Sequence, residues 1–116
     1  MDRDLKSRTK LFALAIIKLV SDLPKNTVGY ELGKQVLRSG TSIGANYRSS
    51  QRGRSRAEFI SKLSIVQEEA DETVFWLELI KESQISEEGL ISTLIKEANE
   101  LTAIFTPMVI NAKKNT

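Results

Sequence analysis

Neither cysteine nor histidine occurs among the 116 residues of the chain. Their joint absence excludes disulfide frameworks, thiolate nucleophiles, zinc ribbons, imidazole bases and the Glu-x-x-His di-iron sites of helical bundles. Most enzyme chemistry goes with them, so no catalytic activity, no cofactor and no metal are expected. Long apolar runs are missing as well. The longest, Leu11 to Ile17, is seven residues between Lys10 and Lys18, against the roughly 20 that a membrane-spanning helix needs. Lys6, Arg8 and Lys10 precede it as in a signal peptide, but no Ala-x-Ala cleavage site follows. The expected location is the cytoplasm, with no membrane partner. Proline occurs twice and glycine six times, and β-branched alternation is missing, which leaves little to interrupt helices and little to make strands.

What is present reads as helix throughout. Hydrophobic residues are 41% and charged residues 28%, ordinary for a globular protein, and the length supports one core in a single domain, residues 1–116. Apolar residues recur at threes and fours. The first helix carries Leu5, Phe12, Ile16, Leu19 and Leu23 on one stripe and stops near Leu23, because Pro24 disfavours helical backbone at the residue before it. The second spans about Val28 to Gln51 with Leu32, Val36, Ile43 and Tyr47 inward, and Gly53 is placed to end it in a left-handed conformation. Ser55-Arg56-Ala57-Glu58 is a capping box that opens the third helix. Phe59, Leu63, Val66, Ala70, Thr73, Leu77 and Ile80 then keep a heptad spacing suited to near-parallel neighbours. Ser86 is the expected N-cap of a fourth helix with Leu94, Ala98, Leu101, Phe105 and Met108 inward, kinked or frayed at Pro107. Four such helices joined by short turns make an all-α, up-down-up-down four-helix bundle.

The formal net charge is only +2, but it is unevenly laid out. Residues 1–58 hold 12 Lys and Arg against 5 Asp and Glu, residues 59–116 hold 5 against 10, so the halves are +7 and −5. On a helical wheel Lys34, Arg38, Thr41, Ala45, Arg48 and Arg52 form one stripe opposite the core face of the second helix. Arg54 and Arg56 continue it beside the start of the third helix, where backbone amides and the helix dipole favour phosphate, and Lys62 flanks it. A solvated face is the plain reading of such a stripe. A phosphate-contacting surface is the functional one, and the preference for Arg supports it, since guanidinium forks match phosphate oxygens. No aromatic platform is interleaved with these cations, so base-specific recognition is not expected.

Three further features need placing. Gly40 and Gly44 sit one turn apart without the Gly-Lys-Ser/Thr ending of a phosphate loop, and their expected role is to let a neighbouring helix approach. The run Glu68-Glu69-Ala70-Asp71-Glu72 lacks a matching carboxylate-rich helix, which favours an acidic surface or a partner for an arginine over a metal site. Phe75, Trp76 and Leu79 lie away from the heptad stripe and form a candidate subunit interface, which makes a second copy of the chain an expected partner.

Three spaced strings together resemble one family: Gln35 to Arg48, with Ser42-Ile43-Gly44-Ala45-Asn46 inside it; Ser55 to Leu63; and Glu68 to Thr73 with Trp76-Leu77-Glu78. The chain is similar to the four-helix-bundle proteins encoded in bacterial 23S rRNA intervening sequences, relatives of the accessory variability determinant of diversity-generating retroelements. The resemblance covers most of the chain and implies a ring-like homopentamer without enzymatic activity. Its retroelement relative is a basic pentamer that associates with nucleic acid and a reverse transcriptase, which makes RNA or DNA and such an enzyme the implied partners. Asn46 matches the family's Ser-Ile-x-Ala-Asn signature and is expected to bond across helices. Ser49, Ser50 and Gln51 depart from the smaller residues expected there, and the net charge departs from the strongly basic relative.

Lys34, Arg38, Arg48, Arg52, Arg54, Arg56 and Lys62 are therefore the expected phosphate contacts, and Phe75, Trp76 and Leu79 the expected subunit contacts. The competing reading is a protein-interaction scaffold whose basic stripe pairs with acidic surface on another subunit or partner. An enzyme would need Ser39 or Ser42 beside Lys34, and nothing in the sequence brings them into a cleft.

Overall fold

A computed structural model describes residues 4–115. It holds four helices, α1 (Leu5–Ser21), α2 (Thr27–Ser50), α3 (Arg56–Glu82) and α4 (Glu88–Lys114), and no strand is found among the described residues. Each helix starts where a polar side chain takes up amides that the first turn leaves without partners. Asp4 accepts from the Ser7 amide at 3.1 Å, Asn26 from Gly29 at 2.9 Å and Ser55 from Glu58 at 3.1 Å. Glu87 accepts from both Gly89 and Leu90.

Consecutive helices pack on one another, and α4 closes back on α1 through a narrower contact. The result is an up-down-up-down rod of 46 × 27 × 21 Å. Its core follows the predicted stripes. Leu5, Phe12, Ile16, Leu19 and Leu23 are buried, as are Leu63, Val66, Ala70, Thr73, Leu77 and Ile80 of α3 and Leu94, Ala98, Leu101 and Phe105 of α4. Each fully buried large aliphatic side chain contributes roughly 1.5–3 kcal/mol relative to exposure. The buried Thr73 hydroxyl lies 2.7 Å from the Glu69 carbonyl and 2.9 Å from the Ser39 hydroxyl, which gives both polar side chains a partner.

Helix α2 is built differently. Val36 and Ile43 are its only fully buried large apolar side chains, and it meets α1 largely through glycine. A Cβ on Gly40 would stand 2.9 Å from Ile16 Cγ1, one on Gly33 3.3 Å from Val20 Cγ1 and one on Gly44 3.2 Å from Thr9 Oγ1. At Gly29 it would meet the Pro24 carbonyl oxygen at 2.0 Å. Interior glycines cost a helix about 1 kcal/mol each relative to alanine, and the close seat of α1 on α2 offsets that cost.

Several local expectations are corrected. α1 ends at Ser21, two residues before Leu23, with Asp22 as its C-cap. Gly53 is not left-handed: among the described residues no glycine has positive φ, and Gln84 in the α3–α4 turn is the only residue that does, at 57°. The amides of Gln51, Arg52 and Gly53 bond instead to carbonyls of the last turn of α2. Gly53 is small for another reason, since a Cβ there would lie 3.2 Å from the Phe59 nitrogen. Glu87, one residue beyond Ser86, caps α4, its longer carboxylate reaching two amides. α4 runs on through Pro107 to Lys114 rather than fraying there. Asn46 donates to the Ser42 carbonyl of its own helix at 2.9 Å, not to a neighbouring helix.

Candidate nucleic-acid interface

The basic stripe of α2 is divided by its neighbours. Arg38 turns onto α3, where its Nη1 donates to Glu69 at 3.2 Å and its Nη2 to Glu72. Glu72 also accepts from Trp76 Nε1 at 2.9 Å. The Trp76 hydrogen bond first, and then Arg38, hold the Glu72 carboxyl below the usual glutamate range against the opposing effect of burial. The bond that Arg38 donates to Glu72 raises the Arg38 guanidinium in turn. The acidic run of α3 thus serves as an arginine's partner, and Arg38, though exposed, is engaged by two carboxylates. Arg56 is also engaged, donating to the Ala112 carbonyl of α4 at 3.2 Å and lying 5.9 Å from the Phe59 ring centroid. Lys34 is exposed but stands alone, about 20 Å from Arg48 along the helix at 1.5 Å per residue.

The remaining predicted cations come together. Arg48 of α2, Arg52 and Arg54 of the α2–α3 turn and Lys62 of α3 line one groove of about 430 Å³ with Ala45, Ser49 and Glu58. Its one acid is engaged, since Glu58 Oε1 accepts from the Arg54 amide at 2.7 Å. Beside it, a groove of about 290 Å³ is lined by Lys6, Lys10 and Ala13 of α1 with Thr41, Gly44, Ala45 and Arg48 of α2. Among the described residues, Lys10, Arg48, Arg52, Arg54 and Lys62 form no ion pair with a carboxylate. The other acid at this end, Asp4, caps α1. The Ser7 amide and hydroxyl lower its carboxyl, and Lys6 adds a weaker pull. Lys6 and Lys10 are absent from the stripe read in the sequence. Their one-turn spacing was visible, but the seating of Thr9 on Gly44, which brings them beside Arg48, was not.

The expected subunit contacts lie off the buried stripe of α3. Phe75 is 52% exposed and meets Trp76 edge-on at 5.1 Å, while Trp76 and Leu79 are half-buried. Further exposed apolar side chains lie elsewhere: Ile17 of α1 adjoins Tyr30 and Leu37 of α2, Leu14 is exposed one turn before Ile17, and Leu11 borders α4. Ile17, Tyr30 and Leu37 border a groove whose floor includes Val20, Leu23 and Gly33. Leu14 and Ile17 lie off the buried stripe within the longest apolar run, which is the signal the sequence offered.

Among the described residues no cluster of acidic side chains could hold a metal ion, and no helix is long and apolar enough to cross a membrane. The family described as 23S rRNA-intervening sequence protein matches residues 2–106. A crystal structure of a protein of unknown function from the S23 ribosomal protein family of Bacteroides thetaiotaomicron is similar, with 36% identity and a TM-score of 0.81. The alignment covers 90% of this chain and 96% of that one. Comparison with curated proteins gives no match.

Proposed function

The chain belongs to the 23S rRNA-intervening sequence protein family, and from that membership we propose a non-catalytic, self-associating bundle that binds nucleic acid through backbone phosphates. The observation that carries this reading is the groove of Arg48, Arg52, Arg54 and Lys62, drawn from three consecutive elements around one engaged acid. Guanidinium forks and a lysine at such a groove suit phosphate oxygens. Tyr47, the aromatic nearest in sequence, packs against Phe105 at 5.6 Å and offers no stacking platform, so contacts to the backbone rather than to bases are favoured. An enzyme that works on RNA or DNA, a reverse transcriptase among them, is the partner such a bundle would assist.

Fluorescence anisotropy of labelled single-stranded RNA and of duplex DNA, titrated with salt, tests the reading. The logarithm of affinity falls against the logarithm of salt by about 0.7 to 0.9 per phosphate engaged. Several contacts per subunit are expected, with binding lost in the double variant Arg48→Glu and Arg52→Glu while assembly is kept. A second reading, a protein-interaction scaffold, is favoured by the exposed apolar side chains of Leu14, Ile17, Tyr30 and Leu37. Under it the same double variant dissociates the assembly, and wild-type protein binds no oligonucleotide even at low salt.

A further inference from the structure

The Arg48 groove does not end at α2. Ala45 and Arg48 line both it and the groove that holds Lys6 and Lys10, so the two grooves share a rim across the helix. Along that crossing α1 contributes Ala13 and α2 contributes Thr41, Gly44, Ala45 and Ser49. Apart from Arg48, the side chains along that crossing are small, and cations flank them. Lys6 and Lys10 stand on one side, Arg48 and Arg52 in the middle, Arg54 and Lys62 on the other. Packed helices lie about 8–10 Å apart, so a path over the surface from α1 by way of α2 to α3 takes two such steps, roughly 16–20 Å.

The lengthwise route along α2 is less hospitable. Its next cation, Arg38, is held by Glu69 and Glu72, so a polyanion following the stripe meets two carboxylates there. Beyond them Leu37 and Tyr30 are exposed around Lys34, and the bordering groove is apolar and holds Ile17, Val20 and Leu23.

We infer that a polynucleotide backbone lies transversely across α2, its phosphates held by Lys6 and Lys10, then Arg48 and Arg52, then Arg54 and Lys62, and that Lys34 takes no part. The path rests on the nucleic-acid reading proposed above and adds to it a site on α1. Anisotropy with a labelled single-stranded RNA tests it in the full-length protein, with helix content checked by far-UV circular dichroism. Replacing both α1 lysines, Lys6→Gln and Lys10→Gln, lowers the magnitude of the log-log salt slope by about 1.4, at about 0.7 per single-strand contact. Lys10→Gln alone, clear of the Asp4 cap, lowers it by about 0.7, and Lys34→Gln leaves it unchanged. An unchanged slope in the α1 double variant, or a loss at Lys34→Gln equal to that at Lys10→Gln, overturns the transverse path while the nucleic-acid reading stands. A wild-type protein that does not bind the RNA at low salt overturns both.

Discussion

At the scale of single residues, Glu72 shows how one side chain decides the fate of another. It accepts from Trp76 and from Arg38 together, and Trp76 is the only tryptophan in the chain. Because the folded carboxyl titrates below its usual range, the stabilisation from these contacts is complete above that range and is lost as pH falls through the lowered value. Trp76 emission followed into acid is therefore expected to change with a midpoint below the usual glutamate range, at constant helix content. Arg38→Gln is expected to move that midpoint upward, and an unmoved midpoint would show that Arg38 does not hold the carboxylate. The sequence made Arg38 and Arg48 look alike, since both occupy one stripe of one helix. What separates them is the register of α2 against α3, which sets Glu69 and Glu72 opposite Arg38 and leaves Arg48 beside a groove. That register comes from packing between helices, and no spacing within α2 encodes it.

At the scale of the helix, the periodic stripes were legible almost residue for residue, because a 3.6-residue repeat leaves few ways to bury the same side chains. Ends were less so. Ser86 and Glu87 are adjacent and both polar, and only the reach of the longer carboxylate to two amides decides between them. The role of Gly40 was legible as a close approach, though not which helix would approach. Alanine substitution tests that contact. Gly40→Ala gains about 1 kcal/mol in helix propensity but drives a methyl to 2.9 Å from the fully buried, β-branched Ile16, at about 1–3 kcal/mol for overpacking. Urea denaturation is expected to show a net loss of up to about 2 kcal/mol from these two effects. Gly29→Ala, where the new methyl meets the Pro24 carbonyl, is expected to lose more. An equal or greater stability of Gly40→Ala would mean that α1 and α2 yield readily at this seat.

At the scale of the whole molecule, Leu14, Ile17, Tyr30 and Leu37 leave apolar side chains in water on neighbouring helices, where a second copy could cover them. Light scattering at micromolar concentration is expected to return a multiple of 13.0 kDa, five-fold if the assembly is the homopentamer that the family resemblance implies. Leu14→Glu with Tyr30→Glu is expected to reduce that mass, and a wild-type mass of 13.0 kDa would remove self-association.

The antiparallel order of the helices has one more effect. It gathers the start of α1, the end of α2 and the start of α3 at one end of a 46 Å rod, together with Lys6, Lys10, Arg48, Arg52, Arg54 and Lys62. Glu78, Glu82, Glu87 and Glu88 collect around the α3–α4 turn at the other, with Lys81 paired to Glu88 among them. Besides the difference between the two halves of the sequence, the fold thus sets an excess of cations at one end of the long axis and of carboxylates at the other. A polyanion several Debye lengths away meets a nearly neutral particle, but within about 10 Å at moderate salt it exerts a torque that turns the cationic end toward it. Copies aligned side by side in the same sense repel at that end, and a polyanion relieves the repulsion. If the bundle binds nucleic acid and self-associates as proposed, linkage requires each added copy to strengthen the grip on the polyanion as much as the polyanion strengthens the alignment.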